Sequence, residues 1–134
     1  MAATPILLAE DDANQAFLTE RAFRDAGIAN PIATVGDGNA AVERLSREPL
    51  PCLLLLDHHL PGKSGLDVLQ WVRAQPRVCT LPVLVLSSST YESDAHTAYL
   101  LGANGFVVKP ATLEETQALA RAIRDYWLVF NRRA

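Results

Sequence analysis

Two patterns of apolar and polar positions alternate along the chain. Short apolar blocks without polar interruption recur in "TPILLAE" (4–10), "PIATV" (31–35), "CLLLLD" (52–57), "PVLVLS" (82–87) and "GFVVK" (105–109). All five read as strands, and the unalternating runs at 52–57 and 82–87 predict strands covered on both faces, as in a parallel sheet. Between them apolar residues recur three and four apart, which predicts helices. Phe17, Leu18, Ala22 and Ala26 keep this spacing after Asp12, Val42 and Leu45 within 36–48, and Leu66, Leu69, Trp71 and Val72 within 65–75. Two further helices are predicted over 91–103 and 112–130. Gly27 and Gly102 supply stops, Asp12 a start, and Thr112 with Glu115 a capping box. Five strands alternating with five helices give an α/β chain, a five-stranded parallel sheet with helices on both faces.

Composition narrows what such a sheet is used for. The 134 residues fit one domain, and 49% hydrophobic against 20% charged residues is enough for an ordinary core. A net charge of −3 with no basic tail argues against direct nucleic-acid binding. No apolar run reaches membrane-spanning length, and acid within the first ten residues excludes a signal peptide. Cys52 and Cys79 stand alone without CxxC spacing, as reduced thiols of a cytoplasmic protein would.

The chemistry gathers at the carboxyl ends of the predicted strands, where open α/β sheets carry their sites. Glu10 and Asp11 follow the first strand and Asp57 the third. Ser87 ends the fourth, and Lys109 with Pro110 the fifth. Three carboxylates on one edge call for a cation, and hard oxygen donors suit Mg²⁺. With a lysine and a hydroxyl added, the set matches phosphoryl transfer to a carboxylate. Acids at strand ends also cap helices, as Asp12 is expected to do. Convergence of this many fitting residues outweighs that reading for Asp57.

In "LLAEDD", "LLLLDHHLPGKSG", "LPVLVLSSS" and "LGANGFVVKP" the chain resembles the receiver domains of two-component response regulators, from residue 5 to about 125. The resemblance implies a flavodoxin-like (βα)5 fold with strand order 2-1-3-4-5, spanning 1–134 with a C-terminal helix over about 112–131. It implies that Asp57 accepts a phosphoryl group from a sensor histidine kinase. Glu10, Asp11, Asp57 and the backbone carbonyl of His59 would hold Mg²⁺. Lys109 would pair with phosphoryl oxygens, and Ser87 and Phe106 would be the switch residues. A narrower resemblance, in "ERAFRDAGIANPIATVGDGNAAVERL" and "AIRDYW", is to single-domain regulators that partner bacterial and cyanobacterial phytochrome kinases. The chain ends at Ala134, so output is expected through protein partners or phosphorelay and not through a DNA-binding domain. Such a domain assists its own phosphorylation and hydrolysis without being an enzyme of the usual kind.

The sequence departs from the common receiver pattern at a few places. Phe106 lacks the hydroxyl of the commoner tyrosine, and Ser87 lacks the methyl of threonine, which loosens its rotamer. His58 and His59 read either as a transition-metal pair or, the favoured reading, as loop residues contributing only the His59 carbonyl. The His59 side chain is still expected near the phosphoryl group. His96 reads as a surface residue. On the last helix Leu113, Thr116, Ala120, Ile123, Trp127 and Phe130 suffice to cover the sheet. Leu119, Ala122, Tyr126 and Val129 form a second apolar row, which with Trp127 predicts a homodimer face. Three rival readings are weaker. A non-phosphorylated interaction module would be expected to lack Asp11, Asp57 or Lys109. An aspartate-nucleophile phosphatase needs a second aspartate where His59 stands. A flavin carrier needs a phosphate-binding loop where "AEDDAN" would repel it.

Overall fold

A computed structural model describes residues 4–131, the Phe130 side chain excepted. The chain runs β1 (Ile6–Ala9), α1 (Ala13–Asp25), β2 (Ile32–Val35), α2 (Gly38–Leu45), β3 (Leu53–Asp57), α3 (Gly65–Ala74), β4 (Val83–Ser87), α4 (Glu92–Leu100), β5 (Gly105–Val108) and α5 (Leu113–Ile123). All strand pairs are parallel, in the order β2-β1-β3-β4-β5. This is the flavodoxin-like fold and strand order that the resemblance to receiver domains implies.

The run of leucines is explained by its two faces. Alternate residues of a strand point to opposite sides. Leu54 and Leu56 join Leu7, Ala9, Val83 and Val85 under α2, α3 and α4, where Leu45, Val68, Leu69, Val72 and Ala98 meet them. Leu53 and Leu55 join Ile6, Leu8, Leu84 and Leu86 under α1 and α5, against Phe23, Ala120 and Ile123. Both faces are thus closed, and β3 is buried along its whole length.

Side-chain caps start four of the helices. Asp12 accepts from the amides of Asn14 and Gln15, and Asp37 from that of Ala40. Ser64 and Thr112 do the same for Asp67 and Glu115. On α1 the expected inward residues Phe17 and Leu18 are exposed. The buried ones are Ala16, Ala22 and Phe23, because the helix is rotated so that its bulkiest buried ring fills the α1–α5 layer. At the other end, the helix predicted over 112–130 is α-helical only to Ile123 and continues as a π-helix over Arg124–Phe130. The wider period changes which residues share a face beyond Ile123.

Candidate functional site

β1 and β3 are adjacent, and their carboxyl ends bring the acids together. One carboxylate oxygen from each of Glu10, Asp11 and Asp57 lies within 4.8 Å of the others. Glu10 and Asp57 are buried and Asp11 is exposed, so the cluster opens to solvent on one side. Lys109 reaches in from the end of β5. Its Nζ donates to Glu10 Oε1 at 2.8 Å and to Asp57 Oδ2 at 2.9 Å. The other Asp57 oxygen, Oδ1, accepts from the His59 amide at 3.1 Å. Tight backbone packing holds Asp57 in place. A Cβ on Gly65, the first residue of α3, would lie 2.2 Å from the Asp57 carbonyl oxygen, so only glycine lets α3 start there.

The electrostatics of the cluster are unequal. Burial opposes the charge on Lys109, but its bonds to Glu10 and Asp57 outweigh that and hold its pKa above the usual lysine value. Glu10 shares the same bond, yet its pKa is raised. Burial and the neighbouring Asp57 push it up by more than Lys109 and the Asp12 amide pull it down. The two directions are consistent, because Lys109 is attracted by two carboxylates whereas Glu10 gains one lysine and faces one like charge. The cluster is therefore rich in negative charge with one cation to serve it. Three converging hard oxygen donors, one of them open to solvent, fit a small divalent cation that keeps several waters.

Ser87 closes β4 and is fully buried. Its Oγ accepts from the Ser89 amide at 3.0 Å and lies 2.9 Å from His58 Nδ1. His58 is itself buried. Its ring stacks on His59 at 4.4 Å and meets Phe106 edge-on at 6.0 Å. Burial, and then the adjacent His59, lower the pKa of His58, against smaller upward pulls from Asp94 and Asp57. The sequence pattern assigns no partner to the His58 side chain. The partner follows from the strand register, which local spacing does not give: Asp57 pairs with Leu86, so the next residues, His58 and Ser87, share a face. The His59 side chain is exposed and turned onto His58, while its amide serves Asp57. His96 is exposed.

Of the residues assigned to a dimer face, Ala122, Tyr126 and Val129 are exposed. Leu119 and Trp127 instead pack partly against the core under α1 and α5. Tyr99, Leu100 and Val108, from α4 and β5, add exposed apolar surface beside that row. Phe130, in the inward row, has its side chain outside the described residues.

Residues 6–121 match the family of response regulator receiver domains. The chain is 36% identical over 132 residues to the probable methanogenesis regulatory protein FilR2 of Methanothrix harundinacea, covering 95% of this chain and 85% of that protein. It is 31% identical over 129 residues to the response regulator Rcp1 of Synechocystis, covering 92% and 88%. The Mn²⁺-bound structure of Rcp1 superposes with a TM-score of 0.88, at 29% identity over 98% of this chain and 99% of that one. The phosphorylated cyanobacterial phytochrome response regulator RcpA superposes with a TM-score of 0.90, at 30% identity over 98% and 99%.

Proposed function

The chain belongs to the response regulator receiver family, and from that premise we propose that it is a phosphorylation-controlled signalling switch with Asp57 as the phosphoryl acceptor. The observation that carries this reading is the single lysine spanning two buried carboxylates, 2.8 Å from Glu10 and 2.9 Å from Asp57, beside the exposed Asp11. An Asp57 oxygen attacks phosphorus in the phosphohistidine of a sensor kinase. The new O–P bond forms as the P–N bond breaks, and the kinase imidazole leaves with the electron pair and takes up a proton. Lys109, already at Asp57 Oδ2, follows the charge onto a phosphoryl oxygen. Ser87 supplies a hydroxyl proton to another, and the His59 amide keeps the carboxylate oriented. Glu10, Asp11, Asp57 and the His59 carbonyl would hold Mg²⁺, which when bound neutralises charge on the phosphoryl oxygens.

The likeness to Rcp1 and RcpA supports a phytochrome-type histidine kinase as the donor, acting in the cytoplasm. Exposed Tyr99, Leu100, Val108, Tyr126 and Val129 support a homodimer through α4, β5 and α5. Output then runs through this protein surface or through onward phosphoryl transfer. The test is Asp57→Asn, incubated with Mg²⁺ and either a small phosphodonor or a phytochrome-type kinase. Phosphate-affinity electrophoresis should show a shifted, acid-stable and base-labile species for the unaltered protein and none for the variant. An undiminished shift in the variant would move the acceptor elsewhere.

A further inference from the structure

We propose that His58 is a positioning residue for the phosphorylation step: its imidazole holds the Ser87 hydroxyl in the resting protein, and Ser87 must exchange His58 for a phosphoryl oxygen when Asp57 is phosphorylated. This rests on Asp57 being the acceptor.

The argument begins with strand parity. Asp57 lies opposite Leu86 and continues the face of Leu53 and Leu55, toward α1 and α5. His58 and Ser87 continue the other face, that of Leu54, Leu56, Val83 and Val85. The backbone locks this offset, since the His58 amide donates to the Leu86 carbonyl at 2.8 Å. Ser87 therefore leaves its strand beside His58 and away from the Asp57 carboxylate, and its 2.9 Å contact is with His58 Nδ1.

Proton counting turns that contact into competition. A serine hydroxyl has one proton to give. The Ser89 amide already donates to Ser87 Oγ at 3.0 Å and occupies one of its two acceptor positions. A neutral imidazole has one nitrogen without a proton, and that nitrogen can only accept. With Nδ1 as that nitrogen, the Ser87 proton is committed to His58. A phosphoryl oxygen carries no proton and needs the same one. With Nδ1 unprotonated the two bonds cannot coexist, so the His58 contact sets a threshold that the phosphorylated state must overcome. Release also has somewhere to go: the freed ring lies edge-on to Phe106 at 6.0 Å and stacked on the exposed His59 at 4.4 Å. Loss of the Ser87 bond is thereby felt at β5 and at the surface.

Beryllofluoride with Mg²⁺, a phosphoryl mimic that needs no kinase, tests this by titration followed through the bound ¹⁹F resonance. Binding by the unaltered protein and none by Asp57→Asn checks the acceptor; failure there overturns the reading on which this inference rests. Given binding, His58→Phe or His58→Leu should tighten it about fivefold, the scale of one net hydrogen bond. His58→Asn, whose amide stands where Nδ1 was, should keep the original affinity. In a Ser87→Ala background the His58 substitutions should change nothing. Equal tightening with and without Ser87, or no tightening in a folded variant, would show that His58 merely packs. The ¹⁵N spectrum of the unaltered resting protein gives a reading that needs no variant. An unprotonated Nδ1 signal is expected, and a protonated Nδ1 would overturn the inference.

Discussion

The four charged groups of the site act as one unit whose balance is set by a single cation. Lys109 is divided between Glu10 and Asp57, and neither acid is neutralised alone. For Glu10 the folded pKa lies above the ordinary 4.5, chiefly through burial. The fold thus holds that proton more tightly than the unfolded chain does. The corresponding stability is present below 4.5 and is lost as pH rises through the higher folded value. Glu10→Gln keeps an oxygen for Lys109 and removes the buried charge. In metal-free buffer the variant should unfold at higher temperature than the parent at pH 7, and the gap should close toward pH 4. Thermal unfolding at the two pH values measures it. Combined with Asp11→Asn, the substitution should also abolish any thermal shift produced by Mg²⁺. A shift retained in the double variant would place the cation elsewhere.

At the scale of elements, one arginine ties the α3 side of the sheet to the turn before β5. Arg73 Nε and Nη2 donate to the Gly102 carbonyl at 2.9 and 2.7 Å, Nη1 to Leu81 and Cys79, and Nη2 also to the Asn104 side chain. Asn104 Oδ1 in turn accepts from the Val83 amide, the first of β4. Gly102 adopts φ +104°, and a Cβ there would press on the Arg73 guanidinium, so the turn and the arginine are matched. The tie matters because α4 contributes Ala98 as its buried residue and has no side-chain cap. Arg73→Ala should cost roughly 2–3 kcal/mol, the scale of losing charged hydrogen bonds to partly buried carbonyls. Arg73→Lys should recover little, since an ammonium cannot serve that fork. Urea unfolding gives the magnitude. Hydrogen exchange should localise the loosening to α4 and the turn before β5.

The whole molecule gathers its charged cluster at one edge and leaves exposed apolar residues on one flank. The flank is made of α4, β5 and the end of α5, where Leu100 is 73% exposed and Val129 64% exposed. Tyr126 is exposed and meets Trp127 edge-on at 4.9 Å, and Trp127 reaches back to the core. That pairing anchors the exposed flank to the fold. Arg124 adds a second anchor by donating to the Ala26 carbonyl at the end of α1. Tyr126→Glu should give monomers in sedimentation while keeping the unfolding temperature within a few degrees and leaving Asp57 phosphorylation intact. A parent protein monomeric at high concentration, with and without phosphodonor, would assign the flank to a different protein.

The unalternating runs at 52–57 and 82–87 determined two doubly covered strands, because a strand buried on both faces has no room for alternation; β2 and β5, at the edges of the sheet, are only partly covered. Strands parallel and separated by helices then send every loop carboxylate, hydroxyl and lysine of interest to one edge. Glu10, Asp11, Asp57, Ser87 and Lys109 were legible for that reason. Helix rotation was not. On α1 the choice between Phe17 and Phe23 as the inward ring depends on how α1 seats against α5, a long-range packing fit invisible in local spacing. The change of period at Arg124 likewise arises where the helix runs past the sheet and Trp127 turns back to it. His58 was the substantive omission. A histidine beside an aspartate reads as loop chemistry until the β3–β4 register is known. Only that register places it against Ser87, and with it the contest for a single hydroxyl proton.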